Sequence, residues 1–528
     1  MNQEKDLALT AHLKKQGVDN KMLMGHPAGL FVLFFTEMWE RFSYYGMRAL
    51  LTVFLITEIG KGGWEWTNAD AMQLYAWYTG LVYLTPLVGG LIADKFTGFR
   101  KAILLGALIM TLGHAAMAFE TISPTFFYIG LVFMILGNGL FKPNISSMVG
   151  NLYPDSSSKK DAGYTIFYMG INAGAFLGML LCGYIGEKVG WHYGFGLAGV
   201  FMLFGMLQFY FGRNIFGVIG EQPKKQIVIE VDEIVEATED EEIPAHIVRD
   251  RLVVVGVLMV ASIFFFFAFE QAGGSMTVFA KNYTQRILEG NAGTIFKWID
   301  AILTIFPILI VTWVLYGLGK KIYNEYPLTI IFTSVSFVII WILGGWKVYR
   351  EFSLEQTEVT VSWFQILNSF FIIALASSFS KMWEKVWNPS GPIKFAMGLT
   401  LVGAGFLVLS LGSSSIPQGA KEASVSMIWL ILAYFFHTTG ELCLSPVGLS
   451  YVSKLSPKRL AGLLFGLWFT ASAIANFIAG MTGSYIDKIS ETYSLSTFFL
   501  IIAAIPMIAA VILIVLNPKL KKMMHGIN

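Results

Sequence analysis

Residues 37 to 48 read EMWERFSYYGMR, placing Glu37, Glu40, Arg41 and Arg48 inside an otherwise apolar stretch. At 100° per residue, Glu37, Arg41, Tyr44 and Arg48 fall within about 60° of one another on a helix, with Glu40 and Tyr45 flanking them. A charge at the centre of a lipid-facing helix costs about 2.5 to 3.5 kcal/mol, so four of them on one face would cost on the order of 10 kcal/mol. That face is therefore expected to meet a protein-lined, wet cavity. The competing reading is an ion-pair cluster that only staples helices together.

Three other apolar stretches carry one charge each: Lys142 in GNGLFKPN, Glu270 in FAFEQAGGS and Glu441 in HTTGELCLSP. With the first cluster they make four acids (Glu37, Glu40, Glu270, Glu441) against three bases (Arg41, Arg48, Lys142), which leaves one carboxylate without a partner. In a low-dielectric site such a group binds a proton or the cationic end of a substrate. The bases all precede the middle of the chain, whereas Glu270 and Glu441 follow it. A cavity between two halves would then have one positive and one negative wall, which suits a small zwitterion. Asn172 in FYMGINAGAFLG and Asn368 in WFQILNSFF add amides that serve equally well in ligand binding or in bonds between helices.

The elements that hold these residues are set by composition. The chain has 528 residues, 55% apolar and 14% charged, against about 25% charged in ordinary soluble proteins. With roughly 20 residues needed per span, a dozen or more spans are available, and a water-soluble enzyme is excluded. Apolar runs bounded by charge, Pro or Gly predict fourteen helices, near 28–58, 70–94, 99–119, 124–149, 162–187, 192–213, 250–280, 298–319, 327–346, 361–380, 392–412, 427–453, 459–486 and 495–517. Putting the N-terminus and every second loop in the cytoplasm gathers most of the Lys and Arg there, so both termini are expected on that side.

The domains expected are a cytoplasmic N-terminal segment (1–27), a six-helix bundle (28–213), an acidic cytoplasmic linker (214–249), a C-terminal bundle (250–517) and a cytoplasmic tail (518–528). The linker, with Glu230, Asp232, Glu233, Glu236 and Glu239 to Glu242 region acids, reads as a solvated tether. GGLIADKFTGFRK, residues 89–101, reads as a packing and gating loop in which Asp94, Lys95, Arg100 and Lys101 form a charge network. Net charge is +2, so the total says nothing about nucleic acid or acidic partners; no nucleic acid partner is expected, and Cys182 and Cys443 have no metal-type spacing. No GxxxxGK[ST], HExxH or GxSxG occurs, so no enzyme activity, nucleotide-driven pump or metal is expected.

The run from Glu37 to Gly46 resembles the ExxERFxYYG motif of the proton-dependent oligopeptide transporter family, within the major facilitator superfamily. GGLIADKFTGFRK, FYMGINAGAFLG, FEQAGGS and GELCLSPVGLS resemble its other motifs, so the likeness runs from about residue 31 to 480. It implies an all-α polytopic major facilitator fold, two six-helix bundles plus two additional transmembrane helices, 14 in total, with alternating access. It implies proton-coupled import of di- and tripeptides by a multi-pass plasma membrane protein (bacterial inner membrane) that acts as a monomer, with protons as coupling ion and no cofactor. Carried over by position, Arg41, Arg48 and Lys142 receive the peptide carboxylate and pair with Glu37 and Glu40. Asn172, Asn368 and Glu441 hold its amino end, Tyr44, Tyr45, Tyr83 and Trp468 wall the pocket, and Glu270 is the proton-linked partner of Arg48. Some members use a histidine on helix 2, which is absent here, so protonation rests on carboxylates.

Bacterial members commonly place the two additional helices between the bundles. Here the extra pair falls at about 298–346, between core helices 7 and 8, so Asp300 is not counted among the central charges. The alternative function is a carrier of the same fold for another small solute, such as nitrate, a drug or a peptide-like compound. An acidic amino-terminal site would serve no purpose in an anion carrier. A sensor would need a signalling domain, and no soluble segment is long enough for one.

Overall fold

The computed structural model describes residues 2–154, 157, 159–222, 244–457 and 460–527. The acids of the expected linker from Glu230 to Glu242 lie outside the described residues. A short helix absent from the sequence reading, α1 (Asn2–Lys15), precedes a two-residue ribbon of β1 (Met22–Leu23) and β2 (His26–Pro27). The first bundle follows as α2 (Ala28–Ile56), α3 (Asn68–Ile92), α4 (Phe99–Ala118), α5 (Pro124–Asn151), α6 (Lys159–Lys188) and α7 (Trp191–Gly212). The second half opens with α8 (Ala245–Phe269) and α9 (Ser275–Asn282), followed by strand β3 (Ile287–Leu288). A hairpin of α10 (Gly290–Ile322) and α11 (Pro327–Ser353) leads to β4 (Thr357–Glu358), which pairs antiparallel with β3. The rest is α12 (Val361–Lys385), α13 (Gly391–Gly412), α14 (Ile428–Leu455), α15 (Ala461–Gly483), α16 (Ile486–Thr492) and α17 (Leu495–Met523).

Among the described residues, twelve helical segments are long and apolar enough to cross a membrane. The 29-residue α2 and the 23-residue α15 are of comparable length but are not among the twelve. Side chains such as Trp313, Ile302 and Val515, each more than 60% exposed, cover the outside of the bundle. An apolar exterior of this extent belongs in hydrocarbon.

α2 is the opposite case: every residue except Tyr45 is buried. The small residues of α6 make this possible. A Cβ at Gly174 would lie 2.1 Å from the Met38 carbonyl oxygen, and one at Gly178 2.2 Å from that of Phe42. Spaced four apart, the two glycines let the α6 backbone lie directly on α2, as small residues do where membrane helices meet.

Three expectations need revision. The helix expected to run unbroken over 250–280 is interrupted: Glu270–Gly273 form a 3-10 turn between α8 and α9, where the EQAGGS sequence supplies two poor helix formers in succession. The additional pair is longer than 298–346, beginning at Gly290 and ending at Ser353. Among the described residues, Asp94, Lys95, Arg100 and Lys101 do not pair with one another; Arg100 pairs with Glu221 at 3.8 Å and Lys101 donates to Gln222 at 3.2 Å. Arg100 also donates to the backbone carbonyls of Ile219, at 2.7 Å, and Gly217, capping the chain that leaves α7, while Asp94 and Lys95 join no ion pair among the described residues.

Although α10 and α11 are inserted in the second half, they dock on the first. Phe337 meets Trp39 and Phe35 edge-on at 5.5 and 5.8 Å, and Phe332 stacks on Phe211 at 5.5 Å. Thr329 donates to the Gln208 carbonyl at 3.3 Å. At the tip, Glu325 pairs with Lys21 at 2.5 Å. Inside the hairpin, Lys347 pairs with Asp300 and reaches Thr304 at 3.3 Å, and Tyr184 of α6 donates to Glu351 at 2.6 Å. Asp300 is thus neutralised within the hairpin, away from the central charges.

Candidate functional site

The charges of α2 turn inward, as its single polar face requires. Arg41 forms ion pairs with Glu37, at 3.0 Å, and with Glu40, and Glu40 also accepts from Asn138 of α5 at 2.9 Å. Two carboxylates therefore share one guanidinium. About two turns further along, Arg48 pairs with Glu270 of the second half. Its Nε and Nη2 also donate to the Tyr75 hydroxyl of α3, at 2.9 and 2.6 Å.

These groups border a cavity of about 290 Å³ between the two halves, close to the lower end of the range for small-molecule sites. Glu37, Arg41, Tyr45, Arg48, Tyr83, Lys142 and Asn172 line it from the first bundle, and Glu270, Asn368 and Glu441 from the second. Of the residues singled out in the sequence, Glu40, Tyr44 and Trp468 are not in the lining. Glu40 lies behind Arg41. Tyr44 is buried against Arg41 and Tyr45. Trp468 is buried edge-on to Phe395, with its ring over Gly448. Tyr168, Gln365, Tyr434 and His437 join the lining without having been singled out. Tyr75 could have been found from its place in the i, i+4, i+8 stripe Tyr75, Thr79, Tyr83.

The pairing departs from a simple surplus of one acid. Because Arg41 takes two carboxylates and Arg48 takes Glu270, Lys142 and Glu441 are both left without an ion-pair partner among the described residues. The Lys142 ammonium lies 4.5 Å from the centre of the Tyr83 ring. Glu441 accepts from Asn368 at 2.9 Å, and Asn368 also reaches Thr438 at 3.2 Å. Asn172 donates to the Tyr168 carbonyl of its own helix at 3.0 Å. The cavity thus has an unpaired cation on the first-bundle wall and an unpaired anion on the other. No cluster able to hold a metal ion occurs among the described residues.

The two ends of the cavity differ. At the end bearing the β3–β4 ribbon the halves are tied together. The Val361 and Ser362 amides donate to Glu187 at 2.8 and 2.9 Å, Lys188 pairs with Glu358 at 2.6 Å, and Asn68 donates to Asp487 at 2.9 Å. Partial burial works against the Glu358 charge, but Lys188 and Arg286 hold its carboxyl below the usual carboxylate range. At the opposite end, among the described residues, the first half is linked to the second through the hairpin, by Asp19, Lys21 and Gln208.

The family model described as POT family matches residues 100–239 and 339–501. An uncharacterized transporter, YclF, of Bacillus subtilis is 34% identical over 97% of this chain and 98% of its own. The di-/tripeptide transporter of Lactococcus lactis subsp. cremoris is 31% identical over 96% and 98%. Among solved structures, a crystal structure of the peptide transporter POT with sulfate superposes with a TM-score of 0.74 at 29% identity, covering 100% of both chains. A POT family transporter in complex with 5-aminolevulinic acid gives a TM-score of 0.75 at 26% identity, covering 96% and 99%. With the charged face of α2, the broken helix at Glu270 and the cavity between two helical halves, these matches make the chain a member of the POT family, the proton-dependent oligopeptide transporters.

Proposed function

We propose that this chain is a proton-coupled symporter that imports di- and tripeptides by alternating access, with protons as coupling ion and no cofactor. The observation that carries this reading is the pair of unpartnered charges, Lys142 and Glu441, on opposite walls of one cavity. A free peptide brings a carboxylate for the first and an ammonium for the second. Its Cα atoms lie about 3.8 Å apart across a trans bond, so both ends of a short peptide fit one small cavity, whereas a simple anion would leave the Glu441 charge uncompensated. Arg41 and Arg48 lie beside Lys142 on the carboxylate side, and Asn172 and Asn368 serve the amino side. Tyr45 and Tyr83 wall the space between.

Proton coupling is assigned to the carboxylates that share or exchange a base: Glu37 and Glu40 on Arg41, and Glu270 on Arg48. A proton on Glu270 frees Arg48 for the peptide carboxylate. Fourteen spans are proposed, the twelve apolar ones plus α2 and α15, with α2 carried across the membrane by its neighbours rather than by lipid. Both termini are placed in the cytoplasm of a multi-pass plasma membrane protein (bacterial inner membrane) acting as a monomer. The ribbon end then faces outward and is closed, and the cavity is reached from the cytoplasm.

The test is uptake of a labelled dipeptide into liposomes containing the purified protein. Accumulation should require an inward proton gradient and survive replacement of sodium by choline. Equal accumulation with no pH gradient or potential would overturn the reading. Glu37→Gln should lose gradient-driven uptake and keep counterflow exchange, which needs binding and reorientation but no net proton movement.

A further inference from the structure

Tyr75 is fully buried at the centre of the fold, outside the cavity lining, and none of the roles above uses it. Its hydroxyl accepts two hydrogen bonds, from Nε and Nη2 of Arg48. A hydroxyl has two acceptor lone pairs, so both are occupied by one guanidinium. The same Nη2 is the atom that pairs with Glu270. Arg48 is therefore held between a neutral acceptor on α3 and a carboxylate at the break between α8 and α9.

The break is shaped around this hydroxyl. A Cβ at Gly273 would lie 2.0 Å from the Tyr75 oxygen, so a residue larger than glycine would displace it. The Gly273 carbonyl accepts from Thr52 of α2 at 2.7 Å, which ties the turn to the helix that carries Arg48. Gln271 in the same turn donates to the Ala479 carbonyl of α15 at 2.9 Å. Two helices of the first half, α2 and α3, and α15 of the second thus converge where α8 and α9 meet.

We propose that Tyr75 is a positioning residue that keeps Arg48 in place when Glu270 gives up its charge, so that the guanidinium can pass from Glu270 to a peptide carboxylate without collapsing or drifting. This rests on the proton-coupled reading above and adds to it a part played by α3. In the ionised state Arg48 has two acceptors, Glu270 and Tyr75. Once Glu270 is protonated, the Tyr75 hydroxyl is the acceptor that remains until substrate arrives. Removing it leaves a buried guanidinium short of partners in that state above all, and a buried charge without partners is the costlier arrangement. The other titratable and charged groups facing this site are Glu37, Arg41 and Tyr45 of α2, Tyr83 of α3, Lys142 of α5, Tyr168 of α6, and Tyr434, His437 and Glu441 of α14, with Tyr44 and Tyr78 buried beside them. Among the described residues none of them hydrogen-bonds the Tyr75 hydroxyl, whose partner is Arg48, so its removal leaves their own contacts intact.

The test is the pH profile of dipeptide uptake by Tyr75→Phe beside the parent protein, both in liposomes under a fixed membrane potential. With the protonated state disfavoured, the pH of half-maximal uptake should move to lower pH by about one unit, a tenfold change in proton affinity worth about 1.4 kcal/mol. Counterflow exchange at the acidic end of the profile should be retained. A merely structural hydroxyl would lower uptake by the same factor at every pH, and that result would overturn the proposal. Gly273→Ala, which pushes the hydroxyl aside from the other direction, should give the same acid shift, and Tyr75→Phe combined with it should add little further shift. If Tyr75→Phe is not recovered folded, the Gly273→Ala profile decides. A parent protein without gradient-driven uptake would overturn the proposed function and this inference with it, whereas a working parent with unmoved variants overturns this inference alone.

Discussion

Arg48 with Glu270 and Lys347 with Asp300 are buried pairs of opposite charge, and the two are built alike. Arg48 meets Glu270 beside a tyrosine hydroxyl, and Lys347 meets Asp300 under the ring of Tyr184, with its ammonium 5.2 Å from that ring. The difference is what each pair joins. Lys347 and Asp300 sit on the two arms of one hairpin, which move together. Arg48 and Glu270 sit on opposite sides of the boundary between the halves and border the cavity. A pair within one rigid unit need only be neutral, while a pair across a moving boundary has to form and break. Similar chemistry therefore serves cohesion in one place and switching in the other.

The comparison is broken most directly at the boundary. Arg48→Lys keeps a charge but loses the fork that reaches Tyr75 and Glu270 together. With several charge-assisted hydrogen bonds at about 1.5 to 3 kcal/mol each at stake, gradient-driven uptake should fall more than a hundredfold in liposomes. Uptake near the parent level would mean that the pair does not switch.

Glu441→Gln should weaken binding of free dipeptides roughly tenfold to a hundredfold, the equivalent of one charge-assisted hydrogen bond, and that of N-acetylated dipeptides much less. Measuring both ligands on both proteins by calorimetry gives a cycle whose coupling isolates the contact. Equal weakening of the two ligands would remove Glu441 from the amino-end site.

The hairpin pair should behave otherwise. Asp300→Leu together with Lys347→Met should leave uptake within about twofold, because replacing both members of a buried pair by apolar groups is often neutral or stabilising. Lys347→Met alone strands Asp300 and should lower stability by about 3 to 5 kcal/mol, read as a lower melting temperature with KM unchanged. A large loss of uptake in the double variant would erase the distinction between the two pairs.

The smallest effect belongs to the ribbon-end bridge. Because Lys188 and Arg286 hold the Glu358 carboxyl below its usual range, the bridge is complete at neutral pH and weakens as pH falls through that lowered value. Glu358→Gln at neutral pH should mimic the acid condition. The group is nearly half exposed, so the effect should stay below about 1 kcal/mol. Spin-label distances between Glu65→Cys and Lys421→Cys report it as a modest increase in the separated population; an unchanged distribution would show that the bridge does not hold this end shut.

The helices and the face of α2 were legible because both follow from local rules: apolar run length for the spans, and 100° per residue for the position of Glu37, Arg41 and Arg48. Which charge pairs with which was not. Counting four acids and three bases gives one free carboxylate, whereas the fold doubles Glu40 and Glu37 on Arg41 and so frees Lys142 as well as Glu441. Nor did local pattern place Asn138 behind Glu40 or Tyr75 under Arg48, since both contacts are made between different helices and depend on how those helices pack. The polar helix α1 lacks an apolar stripe, the signal on which the other helices were read. Trp468, carried over by resemblance, lies against Phe395 outside the cavity lining.

The docking of α10 and α11 on α2 and α7 sets an order for assembly. During synthesis, at roughly 5 to 20 residues per second, the surface that receives the hairpin is complete once α7 has emerged, well before α12 begins. The hairpin can therefore seat itself while the second bundle is still unmade, giving the nascent second half a fixed neighbour in the bilayer. A chain ending at Ser353 should already bring Thr329 against Gly212, where a Cβ would lie 2.9 Å from the threonine oxygen. A disulfide between Gly212→Cys and Thr329→Cys in that truncated chain would record the docking, and its absence there but presence in the full chain would place the event after the second bundle closes.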